Sequence, residues 1–444
     1  MALFGNDPWW IVLVKVLGIF VFLLVLTIFN IWYERRVVGK MQHRKGPIMN
    51  GPLGLGQALG DGAKLILKED FRPAGTDKWV FNLAPILTGA AAFTAWAVIP
   101  LGGEVEMFGV RTRLQLTDLP VAVLFVMAIA SVGIYGIVLA GWASSSTYSL
   151  LGGIRSTAQM ISYEIAMGLA LVAVFLQAGT MSTSEIVAAQ TQPIIPQINF
   201  PGWYALLLIP SFVIYVIAMV AECNRAPFDL VECEQELVSG FLTDYSGFRY
   251  AAFFLAEYIN MATVSGVATT LFLGGYHAPW PLNLIPGIDA GWLGLVWFTA
   301  KVLVFMYGFV WLRGTLPRLR YDQLMDLGWK WLLPISLGWI VAIGTVNVLR
   351  GTVSILVMMG VILLMAVIAV AILSRVIGDD DKESIMPNAP DKKSRVVEVK
   401  PGEFDAFAGG YPVPPMPGQV LPELAGVVRG SASDPETASA TKEA

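Results

Sequence analysis

The sequence predicts an all-α fold, a polytopic membrane bundle of about nine transmembrane helices with one amphipathic helix at the interface. Three observations carry this. Of 444 residues, 56% are apolar and only 14% charged, whereas soluble chains carry about 25% charged residues. Apolar runs long enough to cross a bilayer as a helix, which takes about 20 residues, occur at 9–33, 80–102, 119–141, 157–178, 203–221, 249–274, 291–312, 332–349 and 353–377. Lys and Arg also divide unequally between the two sets of loops. Sixteen fall in or beside the loops after runs one, three, five and seven, against three (Arg111, Arg113 and Arg350) on the other side. Basic residues stay in the cytoplasm, so the N-terminus is expected outside and the C-terminus inside.

The first run lacks a basic start and a small-residue cleavage site, so it reads as a span and not a removed signal. Its Lys15 is expected to snorkel to the outer surface. After it, Leu55–Glu69 places Leu55, Ala58, Leu59, Gly62, Leu65 and Ile66 on one side of a helical wheel. Gln57, Asp61, Lys64 and Lys68 lie on the other. That is an amphipathic helix at the membrane surface or against a neighbour. Two readings stand, a generic basic anchor and a specific site, because Asp61 interrupts the basic stripe. The glycines before it, Gly54, Gly56 and Gly60, have GxGxxxG spacing after a turn, which excludes a dinucleotide loop.

Inside the spans stand Lys15, Glu164, Glu257 and Lys301. Each costs roughly 2.5–3.5 kcal/mol at a helix centre, so each needs a reason. Lys301 is expected to pair with an acid, and Glu164 and Glu257 read as buried proton sites. The loop 222–244 carries Glu222, Asp229, Glu232, Glu234, Glu236 and Asp244 against Arg225 alone. Pro227 suits the first turn of a helix on which Asp229, Glu232 and Glu236 share one face. Charge runs are mostly solvated faces. This one is broken by Phe228, Leu230, Val231, Leu237, Val238 and Phe241 and runs into spans at both ends. Acids packed in partly dry surroundings couple their proton affinities, which suits proton relay.

The basic last loop, with Arg313, Arg318, Arg320 and Lys330 beside Trp329 and Trp331, fits a positive-inside aromatic edge. From Gly378 the composition turns to Asp, Glu, Lys, Pro, Gly and Ser, a largely disordered cytoplasmic tail by composition. Two cysteines (Cys223, Cys233) and two histidines (His43, His277) give no metal-ligand spacing, so no metal site is expected. With 29 basic and 33 acidic residues, the chain is not expected to bind nucleic acid.

Taken together, ERRVVGKMQHRKGP (34–47), GDGAKLILKED (60–70), GWASSSTYSLLGGIRSTAQMISYE (141–164), ECNRAPFDLVECEQELVSGF (222–241), FFLAEY (253–258) and RYDQLMDLGWK (320–330) resemble one family. It is the H-type, quinone-chamber membrane subunit of respiratory complex I, the proton-translocating NADH:quinone oxidoreductase. The resemblance covers about 1–350 and implies an enzyme subunit without a redox centre of its own. Ubiquinone or menaquinone would enter a tunnel opening between the first span, the sixth span and the surface helix. Arg35, Arg44, Asp61 and Lys64 would frame that tunnel, with Arg225, Phe228 and Phe253 along it. Glu164, Glu222, Asp229, Glu232, Glu234, Glu236, Asp244 and Glu257 would relay protons. Partners would be peripheral-arm subunits, carrying flavin and the terminal iron–sulfur cluster, and other membrane-arm subunits, in a bacterial plasma (inner) membrane. Ile48 and Asp244 depart from the family's usual Asn and Glu. The family usually ends after eight spans, so 351–377 and the 378–444 tail are extensions. The equivalent subunit of a membrane-bound hydrogenase-type complex, or a stand-alone proton-coupled transporter, are the alternatives.

Overall fold

A computed structural model describes residues 7–195, 200–229, 239–285, 287–289 and 291–349. The run at 353–377, the tail, and Glu232, Glu234 and Glu236 lie outside the described residues. In chain order come the span α1 (Trp9–Met41) and the surface helix α2 (Gly56–Leu67). The span α3 (Lys78–Thr94) follows, continued by a 3-10 turn to Val98. A hairpin of β1 (Glu104–Met107) and β2 (Val110–Arg113) leads to spans α4 (Ala122–Ala143) and α5 (Thr147–Ala178). Then come α6 (Thr183–Ala189), the antiparallel pair β3 (Pro193–Ile195) and β4 (Phe200–Pro201), α7 (Tyr204–Leu207) and α8 (Ile209–Glu222). The last elements are α9 (Gly247–Phe272), α10 (Leu293–Thr315), α11 (Tyr321–Asp326) and α12 (Leu333–Leu349). A π-helical turn (Leu327–Leu332) joins α11 to α12.

Among the described residues, seven helical segments are long and apolar enough to cross a membrane, with α8 a shorter apolar helix. These eight correspond to the first eight predicted runs. The fifth run divides into α7 and α8 because Pro210 lacks the N–H that would bond back to Leu206, so the helix restarts there. The fourth begins at Thr147, not 157, carrying the helix through Gly152 and Gly153. The hairpin after α3 has no counterpart among the predicted elements. Its turn residues Phe108 and Gly109 both have positive φ, 51° and 82°, the mark of a type I′ turn.

A lipid-facing bundle turns the usual pattern inside out, because both faces of a span are apolar and polarity marks the inward one. On α1 the buried stripe is Ile11, Lys15, Ile19, Leu23, Thr27, Asn30 and Glu34, while Val16, Leu17, Phe20, Val21 and Val25 are exposed. The central helices are α5, which packs on α4, α8 and α12, and α9, which packs on α1, α2, α3, α8 and α10. Trp96, Tyr163, Tyr215, Phe272 and Phe298 fill the space between helices.

Both intramembrane lysines differ from expectation. Lys15 does not snorkel. Its Nζ is buried, 2.6 Å from Asp7 Oδ2 and 3.3 Å from the Gln115 carbonyl. Lys301 binds no acid directly. Its Nζ donates to the carbonyls of Leu273 (2.6 Å), Gly275 (2.9 Å) and His277 (2.7 Å). These carbonyls belong to the turn that follows α9, where an ammonium with three donors satisfies all three.

Close approach is specified by glycine where α5 meets the end of the acidic loop. A Cβ on Gly152 would stand 2.5 Å from Gly240 Cα, and Ser149 Oγ donates to Gly240 O at 3.2 Å. Gly152→Ala is therefore expected to cost about 1–3 kcal/mol by overpacking. The loss should appear as a lowered thermal midpoint of the purified chain in detergent, and an unchanged midpoint would show that the loop yields freely.

Candidate functional site

The first part of the site is built by the turn that brings α2 back against α1. Gly54 has φ 80°, and a Cβ there would lie 2.2 Å from the Pro47 carbonyl, so only glycine fits. Trp32 Nε1 (3.0 Å) and Arg36 (2.8 Å) donate to Leu53 O and pin the turn to α1. Asp61 is thereby delivered to Arg35, at 2.5 Å, with Gln57 Nε2 on its other oxygen at 3.0 Å. This ion pair is partly exposed where α1, α2 and α9 meet. Arg44 and Lys64 are not drawn into it; both are exposed, and Arg44 donates to Gln42 at 2.7 Å.

On the buried side of α1 lies an ionic network. Glu34, 6% exposed, accepts from Tyr258 Oη at 2.6 Å and pairs with Arg225 at 3.5 Å and with Arg313. Arg225 Nε also pairs with Glu257 at 2.8 Å, and the guanidinium lies over the Tyr258 ring, 4.5 Å from its centroid. Burial alone works against the charge on Arg225. Glu257, Tyr258 and Glu34 together outweigh it and hold its pKa well above the ordinary value. The network joins α1, α9, α10 and the loop after α8.

The described part of that loop ends at Asp229, so the helix expected to carry Asp229, Glu232 and Glu236 lies mostly outside the described residues. The Pro227 carbonyl accepts from Leu319 N–H at 3.0 Å, and the Phe228 carbonyl from Gln159 Nε2 at 2.8 Å. Residues 223–229 are turns and bends, with Asn224 at φ 48°. Asp229 is buried and pairs with Arg318 at 3.4 Å. Phe228 packs on Tyr163, and Phe253 on Phe241 and Tyr245.

Behind the loop is a cavity of about 90 Å³. Glu222, Asp229, Glu257, Asn224 and Phe253 all line it. Glu222 is buried at the end of α8, and its Oε2 has no hydrogen-bond partner among the described residues. Glu164 on α5 accepts from Ser131 Oγ of α4 and does not line the cavity. Five predicted residues therefore sit together: Arg225, Glu257, Glu222, Asp229 and Phe253. Asp244 does not line the cavity; it is partly buried, with Oδ2 lacking a protein partner. Glu34 and Tyr258 carry no role assigned from the sequence, and Arg313 and Arg318 only that of a positive-inside edge. The signal for Glu34 is its place at the end of the polar stripe on α1.

Residues 14–344 match the NADH dehydrogenase family. The chain is 56% identical over 431 residues to the H subunit of the NADH-quinone oxidoreductase of Cutibacterium acnes, covering 95% of this chain and 94% of that one. It is 51% identical over 434 residues to the protein of the same name from Streptomyces avermitilis, covering 96% and 91%. These alignments run past residue 350, so much of the C-terminal extension is shared with both relatives. The chain belongs to the NADH dehydrogenase family, as an H-type membrane subunit of NADH-quinone oxidoreductase, complex I.

Proposed function

We propose that this subunit forms the access tunnel for a quinone and couples its reduction to proton translocation through the buried acids. One observation carries this. Arg225 pairs with Glu257 on one side and Glu34 on the other, and Glu257 lines the cavity shared with Glu222 and Asp229. A charge change at the α1–α2–α9 face therefore reaches the acidic cavity through a single guanidinium. Reducing a quinone to quinol takes two electrons, from an iron–sulfur cluster in a peripheral-arm partner downstream of flavin, and two protons. Drawing protons from this side alters the balance at Arg225, and neighbouring acids in low dielectric readjust because they do not all ionise together. Glu222 and Glu164 pass the change towards the other membrane-arm subunits. The N-terminus faces outside, the extension lies in the cytoplasm, and the membrane is the bacterial plasma membrane.

Both relatives are named as quinone oxidoreductase subunits. That favours this reading over a hydrogenase-type complex and over a stand-alone transporter. The Arg35–Asp61 pair tests the tunnel with little structural disturbance, since exposed ion pairs are worth about 0–1 kcal/mol. Asp61→Asn is expected to raise the apparent KM for a short-chain quinone about three- to tenfold in membranes, with the complex assembled as before. An unchanged KM would remove this face from the quinone's path.

A further inference from the structure

The tip of the hairpin between α3 and α4 carries a residue that its backbone does not favour. A type I′ turn needs positive φ at both central positions and so prefers Asn-Gly or Asp-Gly. Here the pair is Phe108-Gly109, with φ 51° and 82°. A bulky side chain is out of place in the left-handed region, and Phe has no short polar group to bond locally there. Packing within the chain does not offset this, because Phe108 is 80% exposed. The rest of the hairpin is sorted by polarity. Val105 and Thr112 are a buried cross-strand pair, while Glu104, Glu106 and Arg111 are exposed. Phe108 is its one large apolar side chain left outside.

That ring joins others. It lies 6.2 Å from the ring of Trp10, edge to face, and Trp9 is 78% exposed. At helical spacing Trp10 shares a face of α1 with Leu17 and Val21, and Trp9 shares one with Val16 and Phe20. Those four aliphatic and aromatic residues are exposed parts of the first span. The aromatic tip therefore continues the lipid-facing surface of α1 at the end where the helix leaves the membrane. From behind, the hairpin is fixed to that end. Thr112 Oγ1 donates to Asp7 at 2.8 Å, and Lys15 Nζ of α1 reaches the same carboxylate at 2.6 Å.

We propose that Phe108, Trp9 and Trp10 form a wedge that enters the lipid–water boundary of the bilayer. The partner is the lipid surface itself, where aromatic rings are favoured, and the charged face of the hairpin stays among headgroups and water. Removing the Phe108 ring from water offsets the left-handed backbone at the tip. Because the hairpin is tied to Asp7 and Lys15, the wedge sets the depth at which α1 begins. It does so whichever way the chain is oriented, and whether or not the buried acids relay protons.

The test replaces Phe108 by p-benzoylphenylalanine, a photoreactive derivative of the same residue, in the assembled complex in its native membrane. After irradiation the complex is purified and the hairpin peptide is analysed by mass spectrometry. Phospholipid adducts should outnumber adducts to protein at least tenfold. The same label in place of Glu106, on the charged face, should give at least tenfold fewer lipid adducts than at position 108. If the label at 108 prevents assembly, the label in place of Trp9 decides by the same criterion. Adducts mainly to another subunit would make the tip a protein docking point, and the absence of any adduct would put it in water. Either result overturns the wedge. Equal lipid labelling at positions 106 and 108 overturns it too, since the hairpin would then have no wet face and no inserted tip.

Discussion

Arg225→Leu is expected to lower NADH-driven quinone reduction by more than tenfold and to reduce the amount of assembled complex. Breaking a buried ion pair by removing one partner costs about 3–5 kcal/mol, because the remaining charges stay buried. Here Arg225 and Glu34 are each 6% exposed, and removal of the guanidinium takes a cation from both Glu34 and Glu257. Arg225→Lys should recover assembly better than activity. A lysine places one ammonium where Arg225 reaches two acids and sits over the Tyr258 ring, which needs a branched fork. The pair Arg225→Leu and Glu34→Leu separates structure from function. Assembly should return towards the parent level, since exchanging a buried pair for apolar residues is often neutral, while quinone reduction stays low. Quantifying the complex on native gels alongside the quinone reductase rate gives both readings. A fully active double variant would make the network a structural tie alone.

Glu222→Gln is expected to abolish redox-driven proton translocation, by tenfold or more, with assembly within twofold of the parent. Glutamine keeps the shape of the side chain and its ability to bond into the cavity, but it neither takes nor gives up a proton. The small structural cost follows from Oε2, which has no hydrogen bond among the described residues to lose when changed. Glu222→Asp should retain part of the activity, since the carboxyl survives on a shorter arm. Acidification measured in vesicles against the redox rate separates lost pumping from lost turnover, and normal pumping in the glutamine variant would take Glu222 out of the relay.

The spans are legible because apolar length is a one-dimensional property. Eight of the nine runs correspond to described helices, and α2 follows from its wheel. Partnerships are less legible. Lys301 is satisfied by three backbone carbonyls, a site built by the turn after α9 and carrying no side-chain signature. The chain just after α8 is held from afar by Gln159, over 60 residues away in sequence, which donates to the carbonyls of Ala221 and Phe228, a tertiary bond with no local signal. Glu34 escapes notice because it begins a basic stretch and reads as the edge of a loop. The stripe Lys15, Asn30 and Glu34 along α1 places it inward once polarity is read as the mark of the buried face.

The Lys301 clamp bears on how α9 is free to move. Just beyond its Phe272 end, the carbonyls of Leu273, Gly275 and His277 are tied to α10 through Lys301, and Gln190 of the α6–β3 segment donates to the carbonyls of Thr270 and Leu271. At the other end the helix starts at Gly247, beside the bond from Ser246 to Glu69 O, and Glu257 stands two to three turns further on. That end is tied as well, for Arg249 pairs with Asp70 at 3.1 Å and lies over the Phe81 ring. The helix is therefore a beam clamped at both ends, and Glu257 keeps its place beside Arg225 between the two clamps.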